Sequence, residues 1–102
     1  MPVAIATKPV HIIGDRGEVD QESVNLSKGG HEELTWFAHD NETATIVFSS
    51  QQRSPFAASV FHVPAGGSIS SGAIRDDAAY RSYKYSVVGP KGTTDPEVII
   101  ER

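Results

Sequence analysis

The sequence predicts an all-β protein, an antiparallel β-sandwich of about eight short strands in one domain over residues 8–102. Apolar and polar residues alternate with a period of two in most of the apolar segments. Nine glycines and six prolines divide the chain into segments, which recur at about ten-residue intervals, as in sandwiches and barrels. No segment carries the 3.6-residue apolar stripe of a helix. The hydrophobic fraction of 38% is that of a globular chain.

The first half of the chain predicts four strands after a loose lead-in. Residues 1–7 precede the predicted domain, the loose lead-in ends at Pro9, and the first predicted strand begins at Val10. Each predicted strand ends at a turn signal, such as the two glycines Gly14 and Gly17 after the first strand. The four predicted strands span residues 10–13, 23–27, 33–39 and 44–49.

The second half predicts four more strands. Residues 50–59 predict a polar loop and 60–63 a short strand. A further strand is predicted over 68–75, with Ile69 and Ile74 on opposite faces by simple alternation unless one of them sits at a bulge. After a loop at 76–80, the segments 83–89 and 95–101 predict a closing β-hairpin. Tyr83, Tyr85 and Val87 share one face of its first strand.

The charge distribution argues against nucleic-acid binding. The net charge is −4, and the acidic excess lies in residues 1–50, where eight carboxylates stand against Lys8, Arg16 and Lys28. Binding to a phosphate backbone needs clustered lysine and arginine, which this half does not supply. We therefore expect no nucleic-acid partner, and we expect the acidic half to be a partner surface.

The absence of cysteine excludes disulfides, thiolate metal ligands and a thiol nucleophile. It leaves the redox compartment open. No segment approaches the ~20 apolar residues of a membrane helix, so no membrane association is expected. The first seven residues lack the basic and apolar regions of a signal peptide.

A family resemblance rests on six segments in this order along the chain. They are Gly29-Gly30 before Leu34-Thr35-Trp36, the Asn41 turn before Ile46-Val47-Phe48, Ser54-Pro55-Phe56, 61–67, 83–87 and 95–100. Together they resemble the cupredoxin-like family, the plastocyanin and azurin type of eight-stranded Greek-key sandwich, over residues 8–102. The resemblance implies the same fold. It also implies that the protein is bacterial and is exported to the periplasm or the medium.

The departures from the family pattern concern the copper ligands. Copper-binding members place a histidine just before the strand that matches 46–48, where this chain has Ala44-Thr45. They place a cysteine at the position of Val87, and a second histidine and usually a methionine in the next loop, 88–95, which holds neither. A blue-copper site needs two imidazoles and a thiolate. The sequence therefore resembles a copperless member, with no metal, cofactor or catalytic residue predicted.

Other residues with chemical potential are interpreted first as structural. The histidines His11, His31, His39 and His62 show no metal-ligand spacing, and whether they converge in space is open. Adjacent acids such as Glu32-Glu33 point to opposite faces of a strand. Asp76-Asp77 lacks the repeated pattern of a calcium loop. The segment 67–72 has the wrong glycine spacing for a serine nucleophile, and Asn41-Glu42-Thr43 is a lone glycosylation sequon.

The sequence predicts a non-catalytic binding or structural module, not an enzyme, with a protein partner. Trp36 is expected to pack between the sheets, and Phe37 to lie on the opposite face, where an exposed aromatic can bind partners. The alternative is a histidine-based metal-binding or electron-transfer protein. The partner, the oligomeric state and the compartment stay open.

Overall fold

The computed structural model describes residues 7–39, 43–49 and 53–102, which form nine β-strands and no helix. In chain order they are β1 (Thr7–Ile12), β2 (Ser23–Ser27), β3 (Glu33–Ala38), β4 (Ala44–Phe48), β5 (Val60–Val63), β6 (Ser68–Ser70), β7 (Ser82–Val88), β8 (Thr93–Thr94) and β9 (Glu97–Glu101). No helix in this part of the chain is long and apolar enough to cross a membrane. The predicted all-β class is confirmed.

The strands form two mixed sheets. The smaller has the order β1-β3-β6, and the larger has the order β2-β9-β7-β4-β5, with β8 also paired to β7. Most neighbours are antiparallel, but β1 pairs with β3 and β2 with β9 in parallel. The expectation of purely antiparallel pairing is therefore refined. These two pairs join segments far apart in sequence, a feature that alternation cannot reveal.

The largest boundary differences from the prediction lie at β1 and β6. β1 already begins at Thr7, so Pro9 lies within a strand instead of ending a lead-in. Proline is tolerated there because β1 is an edge strand of its sheet. The strand predicted over 68–75 ends at Ser70. Beyond it Ile74 forms an isolated bridge to Phe56, and both Ile69 and Ile74 pack against the core, so simple alternation does not extend from Ile69 to Ile74.

The core lies between the sheets and is centred on Trp36, which is fully buried. Its indole, on β3 of the smaller sheet, contacts four rings from elsewhere in the chain. Phe61 and Tyr85 lie with ring centroids 5.0 and 5.6 Å away, and Phe48 and Phe56 lie at 6.5 Å. Most of these pairs have the edge-to-face geometry that aromatic rings prefer. The predicted packing of Trp36 between the sheets is confirmed.

The predicted closing hairpin is also confirmed. β7 pairs with β8 through Val87 and Thr94 and with β9 through Lys84 and Glu97, in one continuous register. The turn between them closes with a hydrogen bond from the Gly89 N–H to the Gly92 carbonyl at 2.8 Å. Tyr83, Tyr85 and Val87 are buried, whereas Lys84 is exposed, as their alternation predicts.

Candidate functional site

The family's copper-ligand positions lie on two adjacent strands of the larger sheet. Ala44, at the start of β4, is 4% exposed, and Val87, near the end of β7, is fully buried. The two strands pair there through Ile46 with Val87 and Thr45 with Val88. Both positions therefore hold small aliphatic side chains that belong to the core and offer no donor atom to a metal.

Two loops close over this end of the sandwich, and we call residues 14–17 and 89–92 the cap loops. The Lys91 N–H donates to the Asp15 carbonyl at 2.9 Å, and the ammonium group of Lys91 lies 3.5 Å from the Asp15 carboxylate. The Thr94 hydroxyl donates to the Gly17 carbonyl at 2.5 Å. These contacts hold the first loop directly against the end of β7.

Glycine is required where the cap loops meet β7. Gly17 has φ of +74°, and a Cβ atom there would overlap the carbonyl oxygen of Val87. A Cβ at Gly89 would come within 2.5 Å of the Asp15 carbonyl oxygen. Such close backbone approach is possible only without a side chain.

The residues at this end do not fit a type 1 copper ion. A blue-copper centre is held by two imidazoles and a thiolate, and here Ala44, Val87 and the loop 88–95 supply none of these. In the part of the chain that the structure describes, no three histidine, aspartate or glutamate side chains converge as a metal-binding group. This end of the sandwich therefore lacks the ligands of a blue-copper redox centre.

Two of the four histidines meet, which the sequence left open. The Nδ1 atom of His11, on β1, lies 2.6 Å from the Nε2 atom of His39, just after β3, so that one nitrogen donates a hydrogen bond to the other. The His11 ring also stacks on Phe37 with centroids 5.0 Å apart and planes 17° apart. Phe37 is thus half-buried under an imidazole, on the face opposite Trp36 as predicted.

The other two histidines lie in different surroundings. The Nδ1 atom of His62, on the exposed face of β5, is 3.4 Å from the Thr45 hydroxyl. His31 occupies a turn with φ of +55°. It lines a small hollow of about 200 Å³ with Lys28 and Glu33.

The acidic first half contributes to a cleft of about 490 Å³. Glu18 and Glu22, from the β1–β2 connection, line it together with Asp95 and Glu97, and Lys84 and Ile13 form further parts of its wall. The Ser82 hydroxyl donates a hydrogen bond to Glu97, which holds the pKa of that carboxyl below its usual range, and Lys84 acts in the same direction. Glu97 is therefore ionised at neutral pH.

The remaining candidates for chemistry have structural partners. Glu32 accepts a hydrogen bond from the Ser27 N–H at 2.5 Å, whereas Glu33 accepts one from Ser70 at 3.0 Å. The pair is divided between two sites, as the alternation predicts.

Asp77 and Ser71 are likewise engaged. The Asp77 carboxylate contacts Arg75 at 2.5 Å and Arg53 at 3.4 Å, so cations already occupy it. The buried Ser71 hydroxyl accepts from the Leu34 N–H and donates to the Gly72 carbonyl. The sequon at 41–43 lies largely outside the described residues.

These features define a two-sheet β-sandwich without a type 1 copper ligand set. Comparison of the sequence with protein-family models and with curated proteins gives no match. Among solved structures, the chain is similar to the Cu(I) form of a methionine-to-alanine mutant of amicyanin, with 13% identity, a TM-score of 0.62, and coverage of 99% of this chain and 85% of that one. It is also similar to amicyanin from Paracoccus versutus, with 15% identity, a TM-score of 0.58, and coverage of 99% of this chain and 85% of that one. The chain has the cupredoxin fold.

Proposed function

We propose that this chain is a non-catalytic binding or structural module on a cupredoxin scaffold. The observation that supports this most is the end of the sandwich that the cap loops cover. Ala44 and Val87 present no donor atom there, and Gly17 and Gly89 bring the backbone of the loops into contact with β7. A scaffold closed in this way is suited to present a surface instead of holding a redox centre.

The cleft is the surface that we assign to a protein partner. Its walls combine the carboxylates of Glu18, Glu22 and Asp95 with Ile13, which is 56% exposed. A partner segment that alternates lysine or arginine with apolar residues matches both features. Electrostatic complementarity of this kind gives specificity and a salt-dependent association rate.

A titration with the hexapeptide Lys-Leu-Lys-Leu-Lys-Leu tests this assignment by calorimetry at low salt. The cleft variant is Glu18→Gln with Glu22→Gln. The matched control, Asp76→Asn with Glu101→Gln, changes the net charge equally at two exposed residues outside the cleft. We expect the cleft variant to bind at least about tenfold more weakly than the control. Equal losses in both variants, or no binding by the unaltered chain, would contradict the assignment.

Histidine-based metal binding is the second candidate function. The observation that favours it is the contact of 2.6 Å between ring nitrogens of His11 and His39. It is independent of the cleft, since neither histidine lines that cavity.

A further inference from the structure

We propose that His11 and His39 form a two-imidazole site for a divalent transition-metal ion, with copper(II) the preferred ion. This inference rests on the second candidate function and not on the cleft. Neither residue stands at a position where the cupredoxin-like family carries a copper ligand, and among the described residues no third histidine, aspartate or glutamate joins the two in a metal-binding group. The site is therefore distinct from a type 1 centre.

The backbone around the pair is fixed by hydrogen bonds. β1 and β3 run in parallel with Ile12 opposite Ala38, and the His39 N–H donates to the Ile12 carbonyl at 3.3 Å. The His11 N–H donates to the Asp20 carboxylate at 2.8 Å, and the Asp20 N–H returns a bond to the His11 carbonyl at 3.0 Å. Two imidazoles that are held side by side in the metal-free chain lose little entropy on binding an ion.

The rings meet edge to edge. Their centroids are 4.9 Å apart with planes inclined by 23°, and this separation is about the 2.6 Å between the nitrogens plus one ring radius on each side. Stacking on Phe37 holds the His11 ring, whereas His39 is exposed. His39 is therefore the ring that turns when an ion enters between the two nitrogens, and the donor imidazole gives up the shared proton to solvent and takes one up on its other ring nitrogen, so that both rings bind as neutral ligands.

The required movement favours copper(II). Metal–nitrogen bonds of about 2.0–2.1 Å place adjacent ligands of a square plane about 2.9 Å apart, and tetrahedral ligands about 3.3 Å apart. The square-planar geometry therefore requires the smaller increase in the distance between the two ring nitrogens, which is 2.6 Å in the metal-free chain. Tetragonal nitrogen and oxygen coordination is typical of copper(II) and nickel(II), and copper(II) binds most strongly in the Irving–Williams order. Water completes the coordination sphere, and zinc binds more weakly at the same pair.

Calorimetric titration with copper(II) alone, in a buffer that does not bind copper, tests the proposal. The central variant is His39→Ala, with His11→Asn as the second and His62→Ala as the control at an exposed strand histidine. We expect the unaltered chain and His62→Ala to bind one equivalent with equal affinity. Either variant of the pair should bind about 100-fold more weakly, because chelation by a second, tethered donor is lost.

Electron paramagnetic resonance gives a readout that a purely structural role would not change. The nitrogen hyperfine pattern should indicate two imidazoles in the unaltered chain and one in His39→Ala. Far-ultraviolet circular dichroism checks that each variant is folded. If either variant of the pair is unfolded, His39→Gln is used in its place. Equal copper affinity in the folded pair variants and in His62→Ala, or no binding by the unaltered chain, would overturn the proposal. Titration of His39→Ala with the hexapeptide keeps the test of the cleft separate.

Discussion

The side chains of Trp36 and Tyr85 meet in the middle of the core, one from each sheet, with ring centroids 5.6 Å apart and planes inclined by 72°. Both carry a buried polar atom, the indole N–H and the phenol hydroxyl, and among the described residues neither has a partner within hydrogen-bond geometry. Burial raises the pKa of Tyr85 to about 12, and the nearby Trp36 N–H offsets only part of this rise. The pair joins the two sheets at an energetic cost that the surrounding aromatic packing outweighs.

Trp36→Ala should lower the free energy of unfolding by about 3–5 kcal/mol, the usual cost of removing a buried tryptophan. That is a large part of the about 5–15 kcal/mol that such a domain possesses. Urea unfolding at neutral pH measures the loss. Tyr80→Ala is the control, since Tyr80 is 56% exposed and its removal should cost less than about 1 kcal/mol. A loss at Trp36 no greater than at Tyr80 would show that the aromatic cluster is not the centre of the core.

Tyr85→Phe should reduce the loss of stability at alkaline pH. The pKa of Tyr85 is raised from 10.0 to about 12 on folding, so its contribution is complete below pH 10 and is lost as the pH rises toward 12. Over that interval the free energy of unfolding should fall by about 2–3 kcal/mol because the unfolded chain releases the phenol proton first. Urea midpoints at several pH values above 10 measure this slope.

The exposed Tyr80→Phe is the control for the alkaline slope. It should keep the slope of the unaltered chain, whereas Tyr85→Phe should be flatter. At neutral pH Tyr85→Phe should be nearly neutral in stability, since the hydroxyl that it removes has no hydrogen-bond partner in the described chain. An unchanged alkaline slope in Tyr85→Phe would contradict the raised pKa.

Gly17→Ala and Gly72→Ala form a matched pair that isolates the contact of the cap loops with β7. Both glycines have positive φ, +74° and +76°, but a Cβ at Gly17 would overlap the Val87 carbonyl, whereas one at Gly72 would meet nothing within 4 Å. Gly72→Ala should cost about 1–2 kcal/mol, the penalty for a left-handed conformation. Gly17→Ala adds a steric overlap and should cost about 2–5 kcal/mol. Thermal or urea unfolding compares them, and equal costs would mean that the loop does not press on β7.

Alternation in the sequence was a sound guide to individual strands. The buried face of Tyr83, Tyr85 and Val87 and the central place of Trp36 follow from the period of two, because one face of each strand must lie in the core. The pairing of strands was not accessible in this way. The parallel β1–β3 and β2–β9 pairs depend on contacts between distant segments, and the start of β1 before Pro9 depends on its position at a sheet edge. The Greek-key connection stays a prediction.

The candidate sites also differ in whether they depend on local sequence order or on the pairing of distant strands. The aliphatic residues at the copper-ligand positions could be identified from sequence order alone, since the resemblance fixes where each ligand would stand. The contact between His11 and His39 could not, because 28 residues separate them and only the parallel register of β1 with β3 brings them together. The sequence held one usable signal: a histidine within the predicted strand 10–13 and another at the end of the predicted strand 33–39.

The cap loops close the end of the sandwich over Val87, and thiol labelling tests this closure most directly. The chain has no cysteine, so Val87→Cys and Val88→Cys each introduce a single reporter. Val87 is fully buried, whereas its neighbour Val88 is 40% exposed. With an aromatic disulfide reagent in excess, the thiol at position 87 should react at least about 100-fold more slowly than that at 88, because it must wait for local opening. Comparable rates in the two folded variants would mean that this end is open, and the account of a closed scaffold would fail.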